Sequence, residues 1–148
     1  MIDLCTLGTG GTMPLPDRAL ASLYVRVGGR AVLVDCGEGT QIGIQRLSWG
    51  IQCIDAILLT HYHADHCSGL PGMLLAITKA GRTAPLHIYG PIGLERVVAG
   101  LRVIAPSLSY PIVLHEIIDD YSPFAAIGLT ITPFPLKHEM PCIAYQFH

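Results

Sequence analysis

Charged side chains are scarce in this sequence, at 14% of its 148 residues, against about 25% in an ordinary soluble domain. The charges nearly balance, and a net charge of −2 gives no sign of a strongly basic surface of the kind that holds nucleic acid by charge alone. No apolar run nears the roughly 20 residues of a membrane-crossing helix; runs such as Ala56–Leu59 are strand-sized, and no membrane association is expected. Met1-Ile2-Asp3-Leu4 puts an acid where a secretory signal has its basic region, so the start does not read as such a signal. The five cysteines (Cys5, Cys36, Cys53, Cys67, Cys142) form no CxxC pair and are odd in number. Reduced thiols in a cytoplasmic protein are the simplest expectation. Low-complexity tracts, charge blocks, Ser-rich linkers and repeats are also missing.

Apolar residues are what the chain has in excess: they make up 51%, before its 16 glycines are counted. A compact body of this size cannot bury so much, which predicts a partner surface, either a further half of the same fold or another subunit. The sequence stops at His148, in or just after a strand and without a closing helix or polar tail. Residues 1–148 are therefore expected to be the N-terminal part of a single larger domain whose C-terminal half is absent.

Local patterns predict a sheet-rich α/β chain. Ile2–Leu7 reads as a strand running into Gly8-Thr9-Gly10-Gly11, a cluster that suits a tight turn and, with no GK[ST] after it, is not a phosphate loop. Ser22–Val27 and Ala31–Asp35, joined at Gly28-Gly29, form a hairpin pattern. Glu38–Trp49 suits a helix, and Trp49 itself a core or interface position. Ile54–Thr60 is apolar but for one acid, the mark of a strand covered on both faces. A helix is expected over Ser68–Ala80, with Pro71 in its first turn, and another opening at Gly90-Pro91 and running to about Ala105. Leu86–Tyr89, Ile112–Ile118, Leu129–Phe134 and Cys142–Phe147 are the remaining strands. Hairpins followed by strand–helix alternation indicate sheets covered by helices.

The chemistry gathers at Thr60-His61-Tyr62-His63-Ala64-Asp65-His66, where four potential metal ligands lie within six residues directly after a buried strand. Loops at the carboxyl ends of strands are where α/β proteins place their sites. In an extended segment His61 and His63 face the same side. A helix starting near Asp65 would project Asp65 and His66 into the same space. Two imidazoles can then grip one ion while a carboxylate and a third imidazole grip a neighbour. This donor set suits Zn²⁺, and also Mn²⁺ or Fe²⁺. The bland alternatives are a run of surface histidines or a capped helix start.

This segment resembles the HxHxDH signature of the metallo-β-lactamase superfamily. Leu7–Gly11, Asp35-Cys36-Gly37-Glu38-Gly39-Thr40-Gln41, Gly69–Gly72 and Tyr89–Gly93 narrow the likeness to the ribonuclease Z family of tRNA 3′-end endonucleases. The likeness runs from residue 2 to 147. It implies an αβ/βα sandwich of two mixed β-sheets flanked by helices, incomplete in this chain. It implies His61, His63 and His138 on a first metal and Asp65 and His66 on a second, with Asp65 also taking a proton from the attacking water. Metal charge would depress that basicity. Two such ions hold a hydroxide and clamp phosphate oxygens. Asp35 resembles the family's buried aspartate. It would orient a ligand imidazole or backbone, or else simply accept from local turn amides. Pre-tRNA as substrate and a homodimer are the partners implied.

The sequence departs from the family in two places. The family's PxKxRN-like loop, which reads the tRNA end, aligns with Pro14-Leu15-Pro16-Asp17-Arg18-Ala19. Arg18 is kept as a substrate-binding candidate, but Pro16 and Ala19 replace the lysine and asparagine. The family's bridging aspartate, a catalytic histidine, the last ligand histidine and the tRNA-binding arm all lie beyond the motif of His138, so the 148-residue chain alone is expected to be inactive. A hydrolase of small phosphodiesters or sulfate esters, and an inactive fragment or binding module, are the competing readings. His87 and His115, each within a predicted strand, read as structural or surface histidines, and Cys67 as a small packed thiol.

Overall fold

The computed structural model describes residues 1–148 as two sheets and four helices. Six strands, β1 (Ile2–Gly8), β2 (Ser22–Val27), β3 (Arg30–Val34), β4 (Ile54–Leu58), β5 (Leu86–Pro91) and β6 (Ile112–Ile117), form one sheet in sequence order. β1, β2 and β3 pair antiparallel, and β3 to β6 pair parallel. The parallel part needs crossovers, and these are the helices α1 (Thr40–Leu47), α2 (Ala64–Cys67) with α3 (Leu70–Lys79), and α4 (Leu94–Arg102). The second sheet, β7 (Phe124–Ala126), β8 (Leu129–Leu136) and β9 (Cys142–Phe147), is antiparallel throughout. The mixed first sheet, the facing second sheet and the helices are the αβ/β part of the expected sandwich.

β4 shows why its residues are nearly all apolar. Ile57 packs with Leu70, Met73, Leu74 and Ile77 of α3, whereas Ala56 and Leu58 pack with Ile127 and Ile131 under the second sheet. A register shift opposite Ala31/Val32 skips Asp55, so Ile54 joins Ile57 on the helix side instead of breaking the pattern. Each such side chain taken from water contributes about 1.5–3 kcal/mol. The β2–β3 hairpin turns at Gly28 and Gly29, both in the left-handed region (φ +56° and +83°), as the glycine pair predicts.

Several boundaries differ from the sequence expectation. α1 is shorter than Glu38–Trp49 because left-handed residues, Gly39 (φ +88°) and Ser48 (φ +56°), close it at both ends. The Ser68–Ala80 helix instead begins at Leu70, after the separate turn of α2, because the Gly69 amide is turned onto the Cys36 carbonyl (2.9 Å). Gly90 and Pro91 extend β5, pairing with Glu116 and Ile117, and α4 begins after Gly93. β7 gave no pattern in its three residues. Gly8–Gly11 is not a tight turn. Gly8 lies against the Ala19–Leu20 backbone, where a side chain would collide, and the Gly10 amide donates to the Ala19 carbonyl at 2.9 Å. No helix is long and apolar enough to cross a membrane.

Candidate metal centre

Two chain segments meet at the carboxyl end of β4. The first is the extended run after Leu58, which carries His61 and His63 into α2. The second is the β8–β9 connection, which carries His138. β9 fastens them together: the Ile143 amide donates to the Thr60 carbonyl (2.9 Å) and the Tyr145 hydroxyl to the Leu59 carbonyl (2.9 Å). With β9 pinned to the ligand loop, the turn just before it has to hang over the same loop.

The result is a three-imidazole cluster. His61 Nε2 lies 3.1 Å from His63 Nδ1, and His138 Nε2 lies 3.4 Å from that same Nδ1. All three donor atoms fall within 4.8 Å of one another. Nitrogens bound tetrahedrally to zinc at about 2.0–2.1 Å are separated by about 3.3 Å; the 3.1 and 3.4 Å pairs match that spacing, and the remaining pair, within 4.8 Å, closes when all three meet one divalent ion. The outward nitrogens are already committed: His61 Nδ1 to Thr60 Oγ1 (2.9 Å), and His63 Nε2–H to Glu139 Oε1 (2.8 Å). Burial, and next the neighbouring His66, push His61 below the ordinary histidine range, which favours the neutral ring that a metal needs.

Asp65 and His66 sit beside this cluster, the rings of His61 and His66 being 4.1 Å apart. His66 Nε2 lies 3.7 Å from Asp65 Oδ2. The Thr12 amide donates to Asp65 Oδ2 (3.0 Å), and this hydrogen bond is the main cause holding the carboxyl below its usual range. His66 moves the other way, raised chiefly by its hydrogen bond to Asp35, which reaches Nδ1 at 2.7 Å and leaves Nε2 free to face Asp65.

Asp35 touches a ligand-candidate imidazole and the backbone of the ligand loop, and accepts from no local turn amide. Oδ2 holds His66, and Oδ1 accepts from the Thr60 amide (2.8 Å). The Thr60 hydroxyl also meets Oδ2 at 2.9 Å, so Asp35 reaches His61 through one intervening group. Gly37 brings this segment close, since a side chain there would strike the Asp65 carbonyl and Leu20.

Cys67 is a packed thiol, buried, its pKa pushed up to about 11 by desolvation, with Sγ against the His63 carbonyl (3.4 Å). His87 and His115 lie in β5 and β6, stacked and hydrogen-bonded to each other at 2.9 Å. Trp49 packs edge-on against Tyr24 with Arg26 over its ring. Arg18 does not join the cluster. It lines a separate cavity of about 260 Å³ with Leu7, Pro14, Ile42 and Arg46. Sequence reasoning missed Thr12, Thr60 and Glu139. Thr60 and Glu139 each adjoin a ligand candidate in the chain, which was a usable signal; Thr12 reaches Asp65 across 53 residues and gave none.

This arrangement places the chain in a known class. The sequence model of the metallo-beta-lactamase superfamily matches residues 16–138, and the chain belongs to that superfamily. Within it the chain resembles ribonuclease Z. It is 50% identical over 147 residues to the ribonuclease Z of Clostridium kluyveri, covering 99% of this chain and 48% of that protein. Against the ribonuclease Z of Lachnoclostridium phytofermentans it is 47% identical over 145 residues, covering 98% and 48%. The chain thus spans about half the length of the curated relatives it matches. Among solved structures, the short form of human tRNase Z superposes with a TM-score of 0.85 at 29% identity, over 100% of this chain and 65% of that one. A diphosphatase of the PhnP family superposes with a TM-score of 0.77 at 26% identity, over 99% and 62%.

Proposed function

We propose that this chain carries the first-metal site and part of the second in a phosphodiester hydrolase of the ribonuclease Z kind, which removes 3′ trailers from pre-tRNA. The observation that carries the reading is the convergence of His61 Nε2, His63 Nδ1 and His138 Nε2 at metal-binding spacing, in a chain half identical to ribonuclease Z. These three would hold one divalent ion, and Asp65 and His66 would contribute to a second. Zn²⁺ is the favoured metal and Mn²⁺ or Fe²⁺ are workable, because imidazole and carboxylate donors suit all three. Bound there, the ions would supply a hydroxide nucleophile near neutral pH and neutralise charge on a scissile phosphate. Asp65 is the proton-accepting candidate, its Oδ2 fixed by Thr12, and Asp35 sets the orientation of His66 and Thr60. Arg18, exposed in the loop that lines the separate cavity, is the candidate for contacting the RNA end. A cytoplasmic homodimer is the assembly proposed, and exposed apolar residues such as Ile42 and Leu75 support it. The domain boundaries proposed are residues 1–148 as the N-terminal part of one superfamily domain, inactive when alone.

The test is cleavage of a pre-tRNA bearing a 3′ trailer by the full gene product charged with Zn²⁺ or Mn²⁺. Trimming by the wild type, and its loss in His63→Ala and Asp65→Asn, is the expected result. An intact trailer in the presence of fully metallated protein would overturn the proposal. A second reading, hydrolysis of small phosphodiesters or sulfate esters, is favoured by Pro16 and Ala19 in the Arg18 loop. Fast turnover of a small model diester without RNA affinity would select it.

A further inference from the structure

The β8–β9 connection touches His63 from two sides. His138 Nε2 approaches Nδ1 of the His63 ring at 3.4 Å, and the next residue, Glu139, places Oε1 2.8 Å from Nε2 of the same ring. The two nitrogens of an imidazole point away from each other, so Glu139 lies behind the ring as seen from the cluster. It is therefore placed to accept a hydrogen bond and not to ligate the same ion. His61 and His66 have their own backing, from Thr60 and Asp35 respectively. Among the protein groups, the Glu139 carboxylate is what fixes the outward nitrogen of His63.

We infer that Glu139 is a positioning residue for the metal site: it holds His63 as the Nε2–H tautomer and turns its Nδ1 lone pair onto the ion. A carboxylate on the outer N–H of a ligand imidazole raises its basicity and fixes its orientation, and loss of such a partner commonly weakens metal binding by about 10–100-fold. The Glu139 side chain is 73% exposed, so water competes for His63. The effect belongs at the low end of that range, about tenfold. The inference rests on the metal-site reading above, and its test separates the two.

The experiment uses the full gene product with ¹⁵N-labelled histidine, metal-free and Zn²⁺-loaded, together with Co²⁺ and Zn²⁺ affinity titrations. In the wild type the His63 Nε2–H proton is expected downfield and protected from exchange. In Glu139→Ala it should move upfield and exchange rapidly, with His61 and His138 unchanged and metal affinity reduced about tenfold. Glu139→Gln keeps an acceptor without the charge and should restore the protected resonance, with affinity within about threefold of wild type. An unchanged His63 resonance and affinity in Glu139→Ala, with normal wild-type metal binding, would overturn the role of Glu139 alone. Absence of metal binding in the wild type would instead overturn the site and this inference with it.

Discussion

Asp35 sits at φ +58°, a left-handed conformation that aspartate tolerates better than most side chains. From there one carboxylate reaches both the Thr60 amide and His66 Nδ1. Asp35→Asn keeps the shape and the backbone tolerance but removes the charge and confuses donor with acceptor at His66. Metal affinity is expected to fall about 10–100-fold with the fold retained, measured by competition titration against a chromophoric chelator. The same contact makes a pH prediction for the metal-free chain. The folded pKa of His66 is raised by Asp35. Its contribution is therefore full below the unfolded value of about 6.5 and declines as pH rises through the higher folded value. His61 is lowered and contributes in the opposite sense. Asp35 raises His66 chiefly and His61 as well, so the stability difference between wild type and Asp35→Asn reports both in the same sense, and in urea titrations under chelator it should shrink as pH rises from about 6 to 8.

At the scale of elements, close backbone contacts bring the site together. Gly69 lies against the carbonyl of Gly37, and its amide donates to the Cys36 carbonyl, so α3 starts where the Asp35 segment passes. Gly69→Ala would drive a methyl group into that backbone and is expected to cost about 1–3 kcal/mol, seen as a lower midpoint in urea. Legibility in the sequence follows the range of the interaction. β4 was readable because burial on both faces leaves an uninterrupted apolar run, and His61 with His63 because alternation in an extended chain is local. The ends of α1, the break before α3 and the extra strand residues at Gly90-Pro91 were not readable. Left-handed caps and backbone contacts between distant segments decide them. The position of His138 depends on β9 hydrogen-bonding to Thr60, a contact across 83 residues that only the resemblance to ribonuclease Z anticipated.

For the whole molecule, the three histidines form a closed set whereas Asp65 and His66 form an open pair, so the chain should hold its two ions unequally. Metal analysis after dialysis is expected to retain about one Zn²⁺ per chain, the second leaving first because two donors bind more weakly than three. The most direct measurement is anomalous diffraction at the zinc edge from crystals of the chain grown with Zn²⁺. The expected result is a strong peak about 2.1 Å from His61 Nε2, His63 Nδ1 and His138 Nε2, with a weaker peak or none beside Asp65 and His66. A strong peak elsewhere, or no peak among the three imidazoles, would contradict the metal site on which the proposed hydrolase rests.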